Sequence, residues 1–472
     1  MKTLLRSGMI ITAAEQFVGD VLIDGEQIRA IGSALQPDAD TALVDVSGKI
    51  LTPGGIDVHT HFDLPMAGTV SSDDHYTGHK AAACGGTTTV FDFVSQDEPS
   101  LQQCVDAWHT KADEKAAVDF GFHMNVTKFN DQVAREMPGL RALGINSVKV
   151  FTAYNGRLRL QDGEIFQVMR VARNNQLLVM VHAENGDVID LLVNEALKAG
   201  HFTPEWHALT RPAEGSIENV FRTICLAQQA KAPLYIVHMN TAEEVRLLQE
   251  ARGKGLQVMG ETCPQYLYFT IDDLRKPDGA KWVCSPPMRS RVDNEGIQEL
   301  LGKNALQVVA TDHCPFFYDG THPISYEGEQ IAIPGKELGK DDFTKIPNGL
   351  PGVGDRMIVL WNYGVRKQII TPQQFVALAC TNPAKIFGIY PKKGTLMPGS
   401  DADIVVWNQN TPLTYGVAKA QHRTDYNLYE GWEMRDTIHK VYLRGKLIVE
   451  DGRWLGSRGQ GKYLQCGDPQ IV

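Results

Sequence analysis

The chain has 472 residues, 43% of them apolar and 22% charged, with a mean hydropathy of −0.22, the proportions of a folded protein with a sizeable core and not of a disordered chain. Its 56 acidic residues outnumber 46 basic ones for a formal charge of −10, and no basic cluster stands out, so a nucleic-acid-tracking surface is excluded as the main function. No run approaches the ~18 consecutive apolar residues of a membrane-spanning helix, and the eight cysteines lie scattered without a C-x-x-C pair, as expected of reduced thiols in a cytoplasmic protein.

At the start of the chain Lys2 and Arg6 precede only a short apolar run, Met9-Ile10-Ile11, so a first β-strand is expected there in place of an export signal. β-type runs at 3–12, 21–23 and 28–31, separated by turn signals such as Asp24-Gly25, make residues 1–52 the first part of a small β unit. After Pro53-Gly54-Gly55 the texture changes. From 53 to 389, buried-strand runs alternate with helix-length amphipathic segments such as 163–175, 218–230 and 241–251. The strands are expected to end near His61, Phe93, Thr127, Ala153, Glu184, Asn240, Tyr266 and His313. Eight such units predict an α/β fold, a (β/α)8 TIM-like barrel, whose chemistry sits at the C-terminal ends of the strands. β texture returns at 404–407 and in the hairpin-like run 441–449, so residues 390–450 are expected to complete a β-sandwich with residues 1–52. The Gly-rich tail, 451–472, is expected to be disordered or to lie across a neighbouring subunit.

The residues able to do chemistry fall at those strand ends. In Asp57-Val58-His59-Thr60-His61 two histidines at i and i+2 share one face of a strand and can converge on a metal. His182 and His238 each end an apolar run, and Asp312 follows Val308-Val309-Ala310-Thr311 in the same way. Core histidines explain one such coincidence but not all of them, so a metal site is the better account. Lys149 lies inside the run Ser147-Val148-Lys149-Val150-Phe151, where a buried ammonium costs several kcal/mol unless paired or neutralised. A salt bridge is one solution. The other is a carbamate, formed with carbon dioxide, which turns the cation into a bidentate anion able to bridge two metals. Charge favours the carbamate, because two divalent cations among four imidazoles and Asp312 alone would remain strongly positive.

Pro53-Gly54-Gly55-Ile56-Asp57-Val58-His59-Thr60-His61, Lys149-Val150-Phe151-Thr152-Ala153-Tyr154, Glu261-Thr262-Cys263-Pro264-Gln265-Tyr266, Ser285-Pro286-Pro287 and Thr311-Asp312-His313-Cys314-Pro315 closely resemble the cyclic amidohydrolases, specifically the D-hydantoinase and dihydropyrimidinase group. The resemblance runs almost end to end and includes Ile346-Pro347-Asn348-Gly349-Leu350-Pro351-Gly352 and Pro398-Gly399-Ser400-Asp401-Ala402-Asp403. It implies two divalent metals per subunit, usually Zn2+, with His59, His61 and Asp312 on one, His182 and His238 on the other, and N6-carboxylated Lys149 bridging both. It further implies a shared hydroxide that attacks the ring carbonyl of a 5-substituted hydantoin or a dihydropyrimidine and yields an N-carbamoyl amino acid. Asp312 would carry the proton from nucleophile to ring nitrogen, Tyr154 would donate to the oxyanion, and Ser285 and Asn348 would hold the imide edge, largely through backbone groups.

By the same resemblance Leu64, Phe151 and Leu158 form the gate for the ring substituent. Leucine at 158 departs from the aromatic residue often found there in D-hydantoinases. A homotetramer is also implied. Dihydroorotases share the H-x-H and the carboxylated lysine but follow the second histidine closely with an arginine, where Phe62-Asp63-Leu64 stands here. The alternative within the fold is an allantoinase-like or other cyclic ureide or imide hydrolase. From a different class, the alternative is a non-enzymatic dihydropyrimidinase-related interaction protein, which loses metal ligands; all six ligand positions are intact here. The long segment 319–340 reads as a lid, a subunit contact or a surface excursion.

Overall fold

Eight runs buried along their whole length, as strands covered on both faces are, form a parallel sheet in the computed structural model, which describes residues 2–472. They are β1 (Gly55–Thr60), β2 (Thr87–Val94), β3 (Asp119–Asn125), β4 (Ser147–Phe151), β5 (Leu178–His182), β6 (Leu234–Ile236), β7 (Val258–Thr262) and β8 (Val308–Val309). Each pairs with its sequence neighbour, the order that right-handed β-α-β crossovers produce. The two ends of the sheet meet through a bridge between Thr60 and His313, with the His61 N–H donating to the His313 carbonyl at 2.7 Å. The barrel therefore closes beside Asp312.

Ile56, Val58, Phe91, Phe93, Leu178, Met180, Tyr235 and Met259 fill its interior. Amphipathic helices cover the outside. Helix Asp162–Asn174 buries Ile165, Val168, Met169 and Ala172 and begins at a capping box between Gln161 and Glu164; each large aliphatic side chain buried this way contributes about 1.5–3 kcal/mol before entropy is counted. Several strands stop short of their expected ends. The ladder beyond β7 is lost where Pro264 opens helix Pro264–Tyr268, since proline lacks the N–H a strand needs and suits the first turn of a helix. Beyond β6 and β8 the chain still bonds to its neighbours, the Met239 N–H donating to the Glu261 carbonyl at 2.8 Å and the Ala310 N–H to the Thr262 carbonyl at 3.0 Å, while His238 and Asp312 themselves take left-handed backbone conformations at the barrel mouth.

The two chain ends build a second, mostly antiparallel sheet of nine strands. Strand Ile50–Pro53 lies at its centre, parallel to Lys2–Ile11 on one side and antiparallel to Ile404–Asn408 on the other, and leads straight into β1. Leu5, Ile10, Val21, Ile23, Leu51, Ile404 and Val406 form its core. Buried Lys393 ties sheet to barrel through Asp119, Asp401 and Asp403 at 2.5, 3.0 and 2.7 Å.

The tail is ordered against its own chain: Arg453–Trp454 adds an edge strand to the second sheet, and the residues from Gly461 onward pack on the barrel. The Phe120 N–H donates to the Lys462 carbonyl at 3.0 Å, the Leu464 N–H to Phe120 at 2.8 Å and the Cys466 N–H to Gly144 at 3.1 Å, while Leu464 and Cys466 join the interior apolar cluster. These bonds lie near the start of β3, at the end of the barrel opposite Asp312. The first two make a lone parallel bridge between Phe120 and Tyr463 and the third stands by itself, so the backbone is satisfied without a ladder long enough to show as periodicity in a sequence. No helix among the described residues is long and apolar enough to cross a membrane.

Candidate metal centre

A bulge in β1 aims His59 and His61. Asp57 pairs with Val90 and Thr60 with Asp92, three steps on β1 against two on β2, and the extra residue breaks the strict alternation of faces. Val58 can thus point inward while His59 and His61 both pack on the interior ring of Phe93, at 4.7 and 5.1 Å between centroids. His59 Nδ1 is held by Glu261 Oε1 of β7 at 2.5 Å, and the other Glu261 oxygen accepts the Tyr235 hydroxyl at 2.8 Å. His59 Nε2 is consequently directed at Asp312 Oδ1, 3.0 Å away, and at Lys149 Nζ, also 3.0 Å away. His61 Nε2 reaches the same Asp312 oxygen at 3.1 Å.

His182 and His238 meet on the adjoining side. Glu184 Oε2 binds His182 Nε2 at 2.7 Å, which leaves His182 Nδ1 facing His238 Nε2 at 2.9 Å. The rings of His59 and His238 lie 5.4 Å apart, so all four imidazoles, Lys149 and Asp312 surround one small volume. Three residues of the site adopt left-handed backbone conformations, Tyr154 at φ +67°, His238 at +39° and Asp312 at +55°. Such conformations cost side chains other than glycine about 1–3 kcal/mol each and persist at functional sites where the surroundings over-determine them.

The electrostatics of this volume combine two imidazoles held neutral with an ionised carboxylate, while His59, in spite of its burial and of Lys149, is raised by the nearby charges of Asp312 and Glu261. Burial lowers His61 to about 4 and pushes His238 well below the usual imidazole range. Asp312 is held well below the usual carboxylate range, because His59 and His61 outweigh its burial. Burial lowers Lys149 to about 8. Its amine contacts the His59 ring nitrogen and the face of Phe93, 4.1 Å from the centroid, and has no carboxylate ion-pair partner among the described residues. A structural salt bridge therefore does not account for this buried lysine. The ligand atoms of His59, His61 and Asp312 all lie within 4.8 Å of one another, and a set of imidazole nitrogens and carboxylate oxygen fits a divalent metal such as zinc.

The expected substrate residues gather beside this centre. Tyr154 packs tilted against His182, 5.1 Å between centroids, with its hydroxyl toward Ser285; burial, reinforced by the charge of Glu184, raises its pKa and keeps the phenol protonated. Asn348 Nδ2 donates to Ser285 Oγ at 3.3 Å. Phe151 ends β4 and lies 5.8 Å from the His182 ring. Leu64 and Leu158 are half-buried on the loops after β1 and β4, and all three apolar side chains stand outside the hydrophobic core clusters. The backbone hydrogen bonds of Leu64 stay within its own loop, to Ser71 at 3.0 and 2.9 Å.

Sequence reasoning missed the partners behind these groups. Glu184 stands two residues after His182, and Glu261 is the next-to-last residue of β7, so both carried the same strand-end signal as the histidines. His207 carried none. From the short helix Glu205–Leu209 its Nε2 reaches the Cys284 carbonyl at 2.8 Å and Ser285 Oγ at 3.2 Å. Outer partners of metal ligands typically account for 10–100-fold in metal affinity. Glu261→Gln is therefore expected to weaken metal retention by about that factor, read by competition with a chromogenic chelator, while the fold remains intact.

Residues 50–448 match the model of the amidohydrolase family. The D-hydantoinase of Streptomyces coelicolor is 42% identical over 469 residues, 98% of this chain and 97% of that one. The dihydropyrimidinase 2 of Caenorhabditis briggsae is 37% identical over all of this chain and 90% of its own length. The chain belongs to the amidohydrolase family, in its D-hydantoinase and dihydropyrimidinase group. The crystal structure of dihydropyrimidinase from Brevibacillus agri superposes on this amidohydrolase with a TM-score of 0.95 and 44% identity, covering 100% of both chains. The family is metal-dependent, and the chain is accordingly a metal-dependent cyclic amidohydrolase, with His59, His61 and Asp312 grouped as a possible metal site.

Proposed function

We propose that this amidohydrolase opens the ring amide of 5-substituted hydantoins and dihydropyrimidines to give N-carbamoyl amino acids. The observation that carries the reading is the convergence of six donor residues directly beside the Tyr154, Ser285 and Asn348 group. The relatives named D-hydantoinase and dihydropyrimidinase support the ring class.

Two divalent cations, Zn2+ by the character of the donors, would be held by His59, His61 and Asp312 and by His182 and His238, with N6-carboxylated Lys149 spanning both, and would acidify water and polarise the ring carbonyl. The remaining work falls to the chain. Asp312 presents Oδ1 to His59 and His61, which leaves Oδ2 to take a proton from the attacking water and return it to the ring nitrogen as the C–N bond breaks. The Tyr154 phenol, kept protonated, donates to the developing oxyanion. Ser285 and Asn348 hold the imide edge, and Leu64, Phe151 and Leu158 meet the substituent. The resemblance supports a homotetramer, and eight free cysteines support a cytoplasmic setting.

The test compares dihydrouracil with the two enantiomers of an aryl hydantoin on metal-loaded protein, each beside a chelated control. Ring opening to the N-carbamoyl product, abolished by chelation, is expected for dihydrouracil or for one aryl enantiomer. No turnover of any of these rings at full metal occupancy would overturn the substrate assignment and point to allantoin or another cyclic ureide.

A further inference from the structure

The long segment after β8 carries a buried amine whose position links it to the substrate site. Lys336 is 1% exposed and opens the short 3-10 turn Lys336–Gly339. Among the described residues it has no carboxylate partner. Its Nζ instead donates to the carbonyls of Val283 at 2.9 Å and Pro347 at 3.1 Å. Those carbonyls stand two residues before Ser285 and one before Asn348. The Gly349 N–H also donates to Val283, at 3.1 Å, and Asn348 Nδ2 donates to Ser285 Oγ, so the two segments run side by side with the amine as their brace.

The rest of the loop is fastened around this amine. The Lys336 N–H donates to Phe317 at 2.7 Å. Glu337 accepts from the N–H groups of Gly320 and Gly335, each at 3.0 Å. Gly335 approaches the Phe317 carbonyl so closely that a Cβ would stand 2.0 Å from it. At the tip, Glu327 pairs with Lys80 at 2.8 Å. Burial lowers Lys336 to about 7, and Cys284, Cys314 and His207 are the titratable groups around it. An apolar side chain of equal length would fill this space without desolvating an amine, so the site uses the N–H donors.

We propose that Lys336 is a positioning residue for the substrate's imide edge, setting the spacing between Ser285 and Asn348, and that the 319–340 segment serves the site by carrying this amine beneath them. The inference rests on the proposed hydrolysis of cyclic imide rings. Ground-state binding lost without loss of the chemical step appears in KM alone.

Lys336→Met holoenzyme is therefore expected to show KM raised about tenfold or more for dihydrouracil and hydantoin alike, with kcat within about threefold and metal content unchanged. Lys336→Gln, which keeps an amide donor for one carbonyl, is expected to fall between wild type and Lys336→Met, and it carries the test if the methionine variant does not fold. A wild-type KM in the variant, or a loss confined to kcat, overturns the inference. Failure of the wild-type enzyme itself on every ring overturns the substrate assignment instead, so the two are told apart.

Discussion

Replacing Lys149 by alanine is expected to strip most of the metal from the protein and to lower kcat/KM by roughly a thousandfold or more, well beyond the ~10–100-fold cost of losing an outer partner such as Glu261. The reason is charge as much as geometry. Four imidazoles and Asp312 supply one negative charge to two divalent cations, and a carbamate on Lys149 is the group placed to add another, since its amine stands 3.0 Å from His59 Nε2. Burial prepares that amine for reaction. Carbon dioxide adds only to the neutral form, and lowering the pKa from 10.5 to about 8 raises the neutral fraction near pH 7 roughly 300-fold. The wild-type apoprotein, supplied with metal at fixed dissolved carbon dioxide, should consequently reactivate faster as pH rises from 6 through 8 and level off above that. Metal analysis and activity on Lys149→Ala check the first expectation and the reactivation rate checks the second. Full metal occupancy with normal turnover in the alanine variant would refute the bridging carbamate.

Tyr154→Phe is expected to lower kcat by about 10²–10³-fold and leave KM nearly unchanged, the range seen when one preorganised oxyanion donor is removed. The phenol is placed by a strained backbone, φ +67°, against His182, and burial with the charge of Glu184 keeps its proton in place. A donor held this way strengthens its hydrogen bond as charge develops on the carbonyl oxygen, so kcat and kcat/KM should fall together. Because its pKa is raised, Tyr154 should also leave no ionisation step in the pH–rate profile at mildly alkaline pH. A variant with normal kcat and raised KM would make Tyr154 a ground-state binding residue instead.

The barrel and its candidate metal donors were legible because both signals are local. A strand covered on two faces must be apolar along its length, and a histidine, lysine or carboxylate in or just beyond such a run is conspicuous where barrel chemistry takes place. That covers His59, His61 and Asp312, which the fold brings together as a possible metal site, and it marks Lys149, His182 and His238 beside them; that the two chain ends form a common β unit was read from β texture at both ends, and the fold joins them in one nine-stranded sheet. Glu184 and Glu261 gave the same kind of signal but were overshadowed by the histidines they orient.

Tertiary structure alone decided the rest, because it depends on groups distant in sequence. The bulge that turns both His59 and His61 inward is a mismatch of β1 against β2. The left-handed turns at His238 and Asp312 are held by β-ladder closure and by neighbours such as Glu261 and His59. His207 reaches Cys284 across 77 positions, and Lys336 reaches Val283 across 53. The tail finds its partners through a lone bridge at Phe120 and isolated bonds as far as Gly388. Residue identity and period thus determined which donors stand at the mouth of the barrel, whereas the angle at which each faces its neighbours follows from long-range hydrogen bonds, for which no periodic pattern exists in the chain.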